Sequence, residues 1–172
     1  IFKEEDDYEI FFGHLRDSME LSKSLFPQVL QLSTLSDYKQ NIIDLLVTLV
    51  DSGYVKAADY QSYYPGIYID AKVAWKKQQA KEEKMMEASN KKIMENEEED
   101  MEDDYVSGGN SYELNDYAVL LMPFYDSNKN VKLYFTKLLQ SRDELVRMNA
   151  AVLLLRNKKE VPDSILQNLA AN

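Results

Sequence analysis

Leu138-Leu139-Gln140-Ser141-Arg142-Asp143-Glu144-Leu145-Val146-Arg147-Met148-Asn149-Ala150-Ala151-Val152-Leu153-Leu154 is the stretch that decides the fold. Its first leucines close one apolar-periodic segment, four polar residues turn the chain, and Val146, Ala150, Leu153 and Leu154 then share one face of a second segment at helical spacing. The closing tetrapeptide, Ala151-Val152-Leu153-Leu154, also stands 33 positions earlier as Ala118-Val119-Leu120-Leu121. Each copy is followed by a polar turn, a valine and another apolar-periodic stretch. A repeat of this length, helical on both sides, is the mark of stacked helix pairs. Such units cannot bury their apolar faces alone, so they stack and present an extended surface.

Working outward, Glu113 to Tyr125 reads as a helix, Asp126 to Asn130 as a turn, and Val131 to Gln140 as a helix with Leu133, Tyr134, Leu138 and Leu139 inward. Ser141 and Glu144 have the spacing of a capping box for the next helix, which runs to about Arg156. Asn157 to Val161 is a turn, and Pro162-Asp163-Ser164 opens the last helix.

Upstream, Tyr8, Phe11, Phe12, Leu15 and Met19 form one amphipathic stripe, and Pro27 suits the first turn of a short helix carrying Val29, Leu30 and Leu32. Ser36-Asp37 offers an N-cap for a helix with Ile42, Ile43, Leu45, Leu46, Val47, Leu49 and Val50 on nearly every side, as expected of a helix buried between neighbours. Gly53 is a candidate left-handed cap at its end. Lys56 to Tyr64 reads as a short helix broken by Pro65-Gly66. A long helix follows from about Tyr68, with Ile67, Ala71, Ala74 and Trp75 as its apolar side. Beyond Gln78 that side fades, so fraying is expected past about Lys84.

Glu95, Glu97, Glu98, Glu99, Asp100, Glu102, Asp103 and Asp104 carry most of the formal net charge of −10. Without them the chain is close to neutral and shows no basic field for nucleic acid or anionic lipid. Composition marks 91–110 as a disordered acidic linker. Hard cations favour carboxylates, but without a defined loop a cation would bind such a run only diffusely. The 5 Gly and 4 Pro are too few for the many turns of a sandwich or barrel, so the fold class is all-α. With no Cys, disulfides and thiolate chemistry are excluded, and both a reducing cytoplasm and a bacterial envelope are compatible. No apolar run reaches the ~20 residues that span a bilayer. The chain opens Ile1-Phe2-Lys3 and closes within an apparent helix at Leu169-Ala170-Ala171-Asn172, and is expected to be part of a longer protein.

The stretch from Leu138 to Leu154 resembles the core of a HEAT repeat, in which a first helix ends in leucines and Asp-x-x-Val-Arg-x-x-Ala opens the second. Asp143, Val146, Arg147 and Ala150 match that pattern position for position. The resemblance implies that Asp143 and Arg147 interact along a stack and that Ala150 lets two helices approach closely. It is clearest over 131–155 and reaches back to Glu113; around Asp37, Gln40 and Asn41 stand where Val and Arg belong. The expected organisation is a helical segment with a degenerate repeat and a long helix over 1–90, the acidic linker over 91–110, and HEAT-like helix pairs over 111–172.

Catalytic chemistry finds little support. Repeat-built iron hydroxylases need several His-Glu pairs, and His14, the single histidine, is followed by Leu15. Nothing near His14 forms a triad, and a carboxylate-bridged metal bundle would need Glu-x-x-His pairs that do not occur. Repeat-built DNA glycosylases present a basic cleft, whereas the arginines here are Arg16, Arg142, Arg147 and Arg156 only. Asp126-Ser127-Asn128-Lys129-Asn130 matches the start of a calcium loop, but Val131 replaces the required Gly and Lys137 the required Glu. Asp143 with Arg147, one turn on, reads as a structural ion pair. Tyr60, Tyr63, Tyr64 and Tyr68 are the most suggestive surface cluster, since tyrosine is enriched where proteins grip partners, although the same spacing serves core packing. The expected function is a non-catalytic scaffold or protein-interaction module, with no cofactor, no metal and another protein as partner. The alternative is an accessory helical domain of an enzyme or membrane-associated assembly.

Overall fold

The computed structural model describes residues 5–32, 39–95 and 109–171. Among the described residues the regular structure is entirely helical: α1 (Glu5–Asp17), α2 (Met19–Leu32), α3 (Lys39–Asp51), α4 (Tyr64–Glu95), α5 (Gly109–Leu121), α6 (Lys129–Leu139), α7 (Glu144–Arg156) and α8 (Asp163–Ala171). Short 3-10 turns cover Ala57–Asp59 and Met122–Phe124. The chain divides into two compact units, Ile1–Pro65 and Gly66–Asn172. From Gly66 onward, α4 belongs to the second unit.

In the first unit α3 packs against both α1 and α2. Ile42, Ile43, Leu45, Leu46 and Leu49 are buried, which is the enclosure expected from a helix apolar on most sides. Phe12 and Leu15 come in from α1, and Phe26 and Val29 from α2. The expected stripe through Met19 is interrupted at Ser18, where α1 ends. Ser22 is fully buried in the first turn of α2, and its hydroxyl donates to the Leu15 carbonyl, which also accepts from Ser18 N at 3.3 Å at the end of α1. Pro27 does not start a helix as expected; it lies inside α2 with its ring exposed. A proline there removes one i→i−4 bond, a cost of about 3 kcal/mol that the buried Ser22, Phe26 and Val29 face offsets. The proposed cap at Ser36-Asp37 lies outside the described residues.

The end of α3 is as expected. Gly53 takes φ +73°, its amide donates to Val50 O at 3.0 Å and that of Tyr54 to Leu49 O at 2.9 Å, the paired bonds of a Schellman closure. Lys56 to Tyr64 is not an α-helix. Pro65 and Gly66 do not break anything; they sit in the first turn of α4, where proline forfeits no intrahelical bond.

In the second unit α4 turns Ile67, Ala71, Ala74, Trp75 and Gln78 inward at steps of three and four. It does not fray at Lys84 but continues to Glu95. Ala80, Lys81, Glu82, Glu83, Lys84, Met85, Met86, Glu87 and Ala88 are all strong helix formers, and Glu82 and Met86 are tied to the α6–α7 turn. The acidic run from 96 to 104 lies outside the described residues, and the segment read as linker is helical at both ends, up to Glu95 and again from Gly109.

α7 packs against both α5 and α6, and α8 rests on α7. From α5 come Leu114, Tyr117, Ala118, Val119, Leu120 and Leu121, all buried. α6 contributes Val131, Tyr134, Phe135, Leu138 and Leu139. Leu133 is 52% exposed and does not point inward as expected; Phe135 takes that place, because the face set by Val131 and Leu138 passes through 134 and 135. From α7 come Val146, Ala150, Ala151, Leu153 and Leu154. The two Ala-Val-Leu-Leu copies thus lie on helices that pack on one another.

α7 closes as α3 does. Lys158 N donates to Leu155 O and Lys159 N to Leu154 O, each at 2.9 Å, with Lys158 at φ +56°. Here a lysine occupies the left-handed position that glycine fills in α3, at a cost of roughly 1 kcal/mol. Lys158→Gly should raise the urea-unfolding free energy by about 0.5–1 kcal/mol. A decrease would show that the α7 terminus is closed differently.

Candidate functional site

The matched motif residues organise the turn between α6 and α7. Asp143, rather than the expected Ser141, is the N-cap: its Oδ1 accepts from Leu145 N at 3.0 Å and Val146 N at 3.4 Å. Aspartate suits this place because a carboxylate also answers the positive end of the helix. Ser141 is instead buried, accepts from Asp143 N at 3.2 Å and donates to Glu82 of α4. Glu82 also accepts from Arg142 N at 3.2 Å. Gln78, 1% exposed, donates to Asp143 Oδ2 and to Glu82 Oε1, both at 3.1 Å.

Arg147 does not pair with Asp143. Its guanidinium reaches back to the Ser141 carbonyl at 2.8 Å and the Arg142 carbonyl at 2.9 Å. Four elements of sequence logic therefore meet in one polar knot: a helix cap, a carbonyl clamp, a buried serine and a docked glutamate. The polar groups of this part-buried turn find partners within the knot, except Arg147 Nε, which is buried without one. Asp143→Ala should cost about 2 kcal/mol in urea unfolding, from loss of the cap and of the Gln78 partner, and Asp143→Asn clearly less. An unchanged midpoint for Asp143→Ala would contradict this role.

The tyrosines differ in exposure. Tyr60 is fully enclosed, and burial pushes its phenol well above the usual tyrosine range. Tyr63 and Tyr64 are half-buried in the first unit, and Tyr63 lines a shallow cavity of about 260 Å³ with Pro27, Leu30, Gln31 and Ser62. Tyr68, in the second unit, is half-buried with Lys72 Nζ 5.1 Å from its ring centre. His14 is exposed on α1. Asn128 caps α6 by accepting from Asn130 N at 2.9 Å, so the Asp126–Asn130 segment acts as an inter-helix turn. Asp126 bonds Lys159 at 2.5 Å, and that contact holds its carboxyl below the usual range.

Two surface features of the second unit were not anticipated. The first is a groove of about 730 Å³ between α6, the end of α7 and α8. Its floor is Phe135, Leu139, Leu154, Val161 and Ile165, and its rim carries Gln140, Glu160, Asp163 and Ser164. The volume falls in the range of ligand and peptide clefts. The second is the outer side of α7, where Met148, Val152 and Leu155 are 43%, 48% and 50% exposed. α7 carries more apolar residues than one face can hold, which is the sequence signal for this stripe.

Among the described residues no group of three or more His, Asp or Glu is placed to hold a metal ion, and no helix is long and apolar enough to cross a membrane. Tyr134 Oη, Trp75 Nε1 and Arg147 Nε are buried without hydrogen-bond partners, and burial pushes the Tyr134 phenol upward. Compared with known protein families, with curated proteins and with solved structures, the chain matches none.

Proposed function

We propose that the second unit is a HEAT-like stack of helix pairs and that the chain serves as a non-catalytic scaffold binding another protein. The observation that carries this is the packing of α7, which holds the second Ala-Val-Leu-Leu copy, on α5, which holds the first, with α6 also on α7. In a stack, equivalent helices pack in succession and the grooves between pairs face outward. The placement of Ala150 and Ala151 in the α7 core favours this reading, since small residues let ridges settle into grooves. So does the Asp143–Arg147 turn, which gives both motif residues structural work and leaves neither for chemistry.

The α6–α8 groove is the proposed partner site. Its apolar floor suits aliphatic or aromatic side chains of a protein segment, and Glu160 and Asp163 on the rim favour basic residues beside them. Tyr63 is a second candidate contact, on the first unit.

A photo-crosslinking residue placed at Gln140 or Ser164, in the full chain within its native cells, should yield a discrete adduct with one protein. The same residue at Lys84, on the exposed side of α4, should yield none. Absence of any protein adduct from both groove positions, or turnover of a metabolite by the purified chain at ordinary enzyme rates, would refute the proposal.

A further inference from the structure

α7 is apolar on two opposite sides. At 100° per residue, Val146, Ala150, Leu153 and Leu154 cluster on one side, and Leu145, Met148, Val152 and Leu155 on the other. The first set is buried. In the second, Leu145 is half-buried and the remaining three are 43–50% exposed. Thirty-three residues earlier, Val119 stands where Val152 does and Met122 where Leu155 does; Val119 is 8% and Met122 5% exposed. At the place of Val152 the first copy is covered and the second open, whereas Tyr112, at the place of Leu145, is 66% exposed.

We infer that the open stripe of α7 pairs with the same stripe of a second copy of this chain, antiparallel. Two observations select this occupant. The stripe is symmetric about position 150: Leu145 and Leu155 lie five residues to either side, Met148 and Val152 two. Two antiparallel copies of α7 therefore set Leu145 against Leu155 and Met148 against Val152 throughout, a self-matching surface of the kind a two-fold dimer requires. Head-to-tail stacking onto α5 is closed off, because from Leu114 to Met122 the apolar side chains of that helix are already buried. Antiparallel pairing also sets opposite helix dipoles side by side. One helix face per subunit is small against the ~800 Å² per partner of a stable complex, so the association is weak and concentration-dependent. This surface is distinct from the α6–α8 groove, and the inference stands or falls independently of what binds there.

In light scattering or sedimentation of the full chain, the weight-average mass should rise from 20.0 kDa towards twice that value with concentration. Val152→Glu should weaken the association at least tenfold or so, since it buries a charge, without altering the circular dichroism of an already exposed position. Ile10→Glu, at another exposed apolar residue, should leave it intact. Because the chain has no cysteine, register can be read directly. Met148→Cys protein mixed with Val152→Cys protein should oxidise mainly to the 148–152 disulfide. A chain monomeric at every concentration, unlimited growth in mass, or a preference for 148–148 and 152–152 disulfides would overturn the inference. None of these results would affect adducts formed from the groove.

Discussion

In α7 the backbone approaches α5 and α6 at once because Ala150 and Ala151 stand where larger side chains would hold the helices apart. The surrounding leucines then fill the space: Leu120 and Leu121 from α5, Leu138 and Leu139 from α6, Leu153 and Leu154 from α7. Each such side chain contributes about 1.5–3 kcal/mol when removed from water, and that gain requires the close crossing. The crossing in turn requires the α6–α7 turn to be tight. Asp143, Ser141 and Arg147 provide this, while Gln78 and Glu82 bring α4 onto the same turn. The polar knot and the apolar crossing are thus two parts of one constraint.

That dependence explains which features were legible in the sequence. Spacing alone identified the buried face of α3 and the Val146–Ala150–Leu153–Leu154 face of α7, because a run of apolar positions at helical intervals has one way to be enclosed. It failed at Leu133, where hydrophobicity suggested burial but the phase set by Val131 and Leu138 placed Phe135 inside instead. Ser141 misled because a serine three residues before a glutamate looks like a cap, whereas Asp143 caps and Ser141 is used in a tertiary contact that no local pattern reveals. The persistence of α4 past Lys84 has the same origin. Its outer residues have nothing apolar to bury, but Glu82 finds partners about sixty positions away in sequence. Pro65-Gly66 and Pro27 show that proline marks a helix start or an internal irregularity according to context, and neighbouring burial decides which.

The candidate surfaces were less legible than the fold. The tyrosine cluster attracted attention through composition, yet Tyr60 is enclosed and its neighbours only partly presented. The α6–α8 groove depends on how three helices meet, which spacing does not encode. The outer stripe of α7 was visible in principle as a surplus of apolar residues, and the near-absence of amphipathicity in that helix is its physical meaning. A helix of this kind is made to be covered from two sides, as α5 is.

Amide hydrogen exchange across residues 109–171 tests the central packing most directly. Slow exchange should centre on both Ala-Val-Leu-Leu copies, with Ala118–Leu121 and Ala151–Leu154 protected to a similar degree and released together as denaturant is added, since the helices that carry them pack on each other. Fast exchange in one copy while the other stays protected would show that α5 and α7 do not form a shared core.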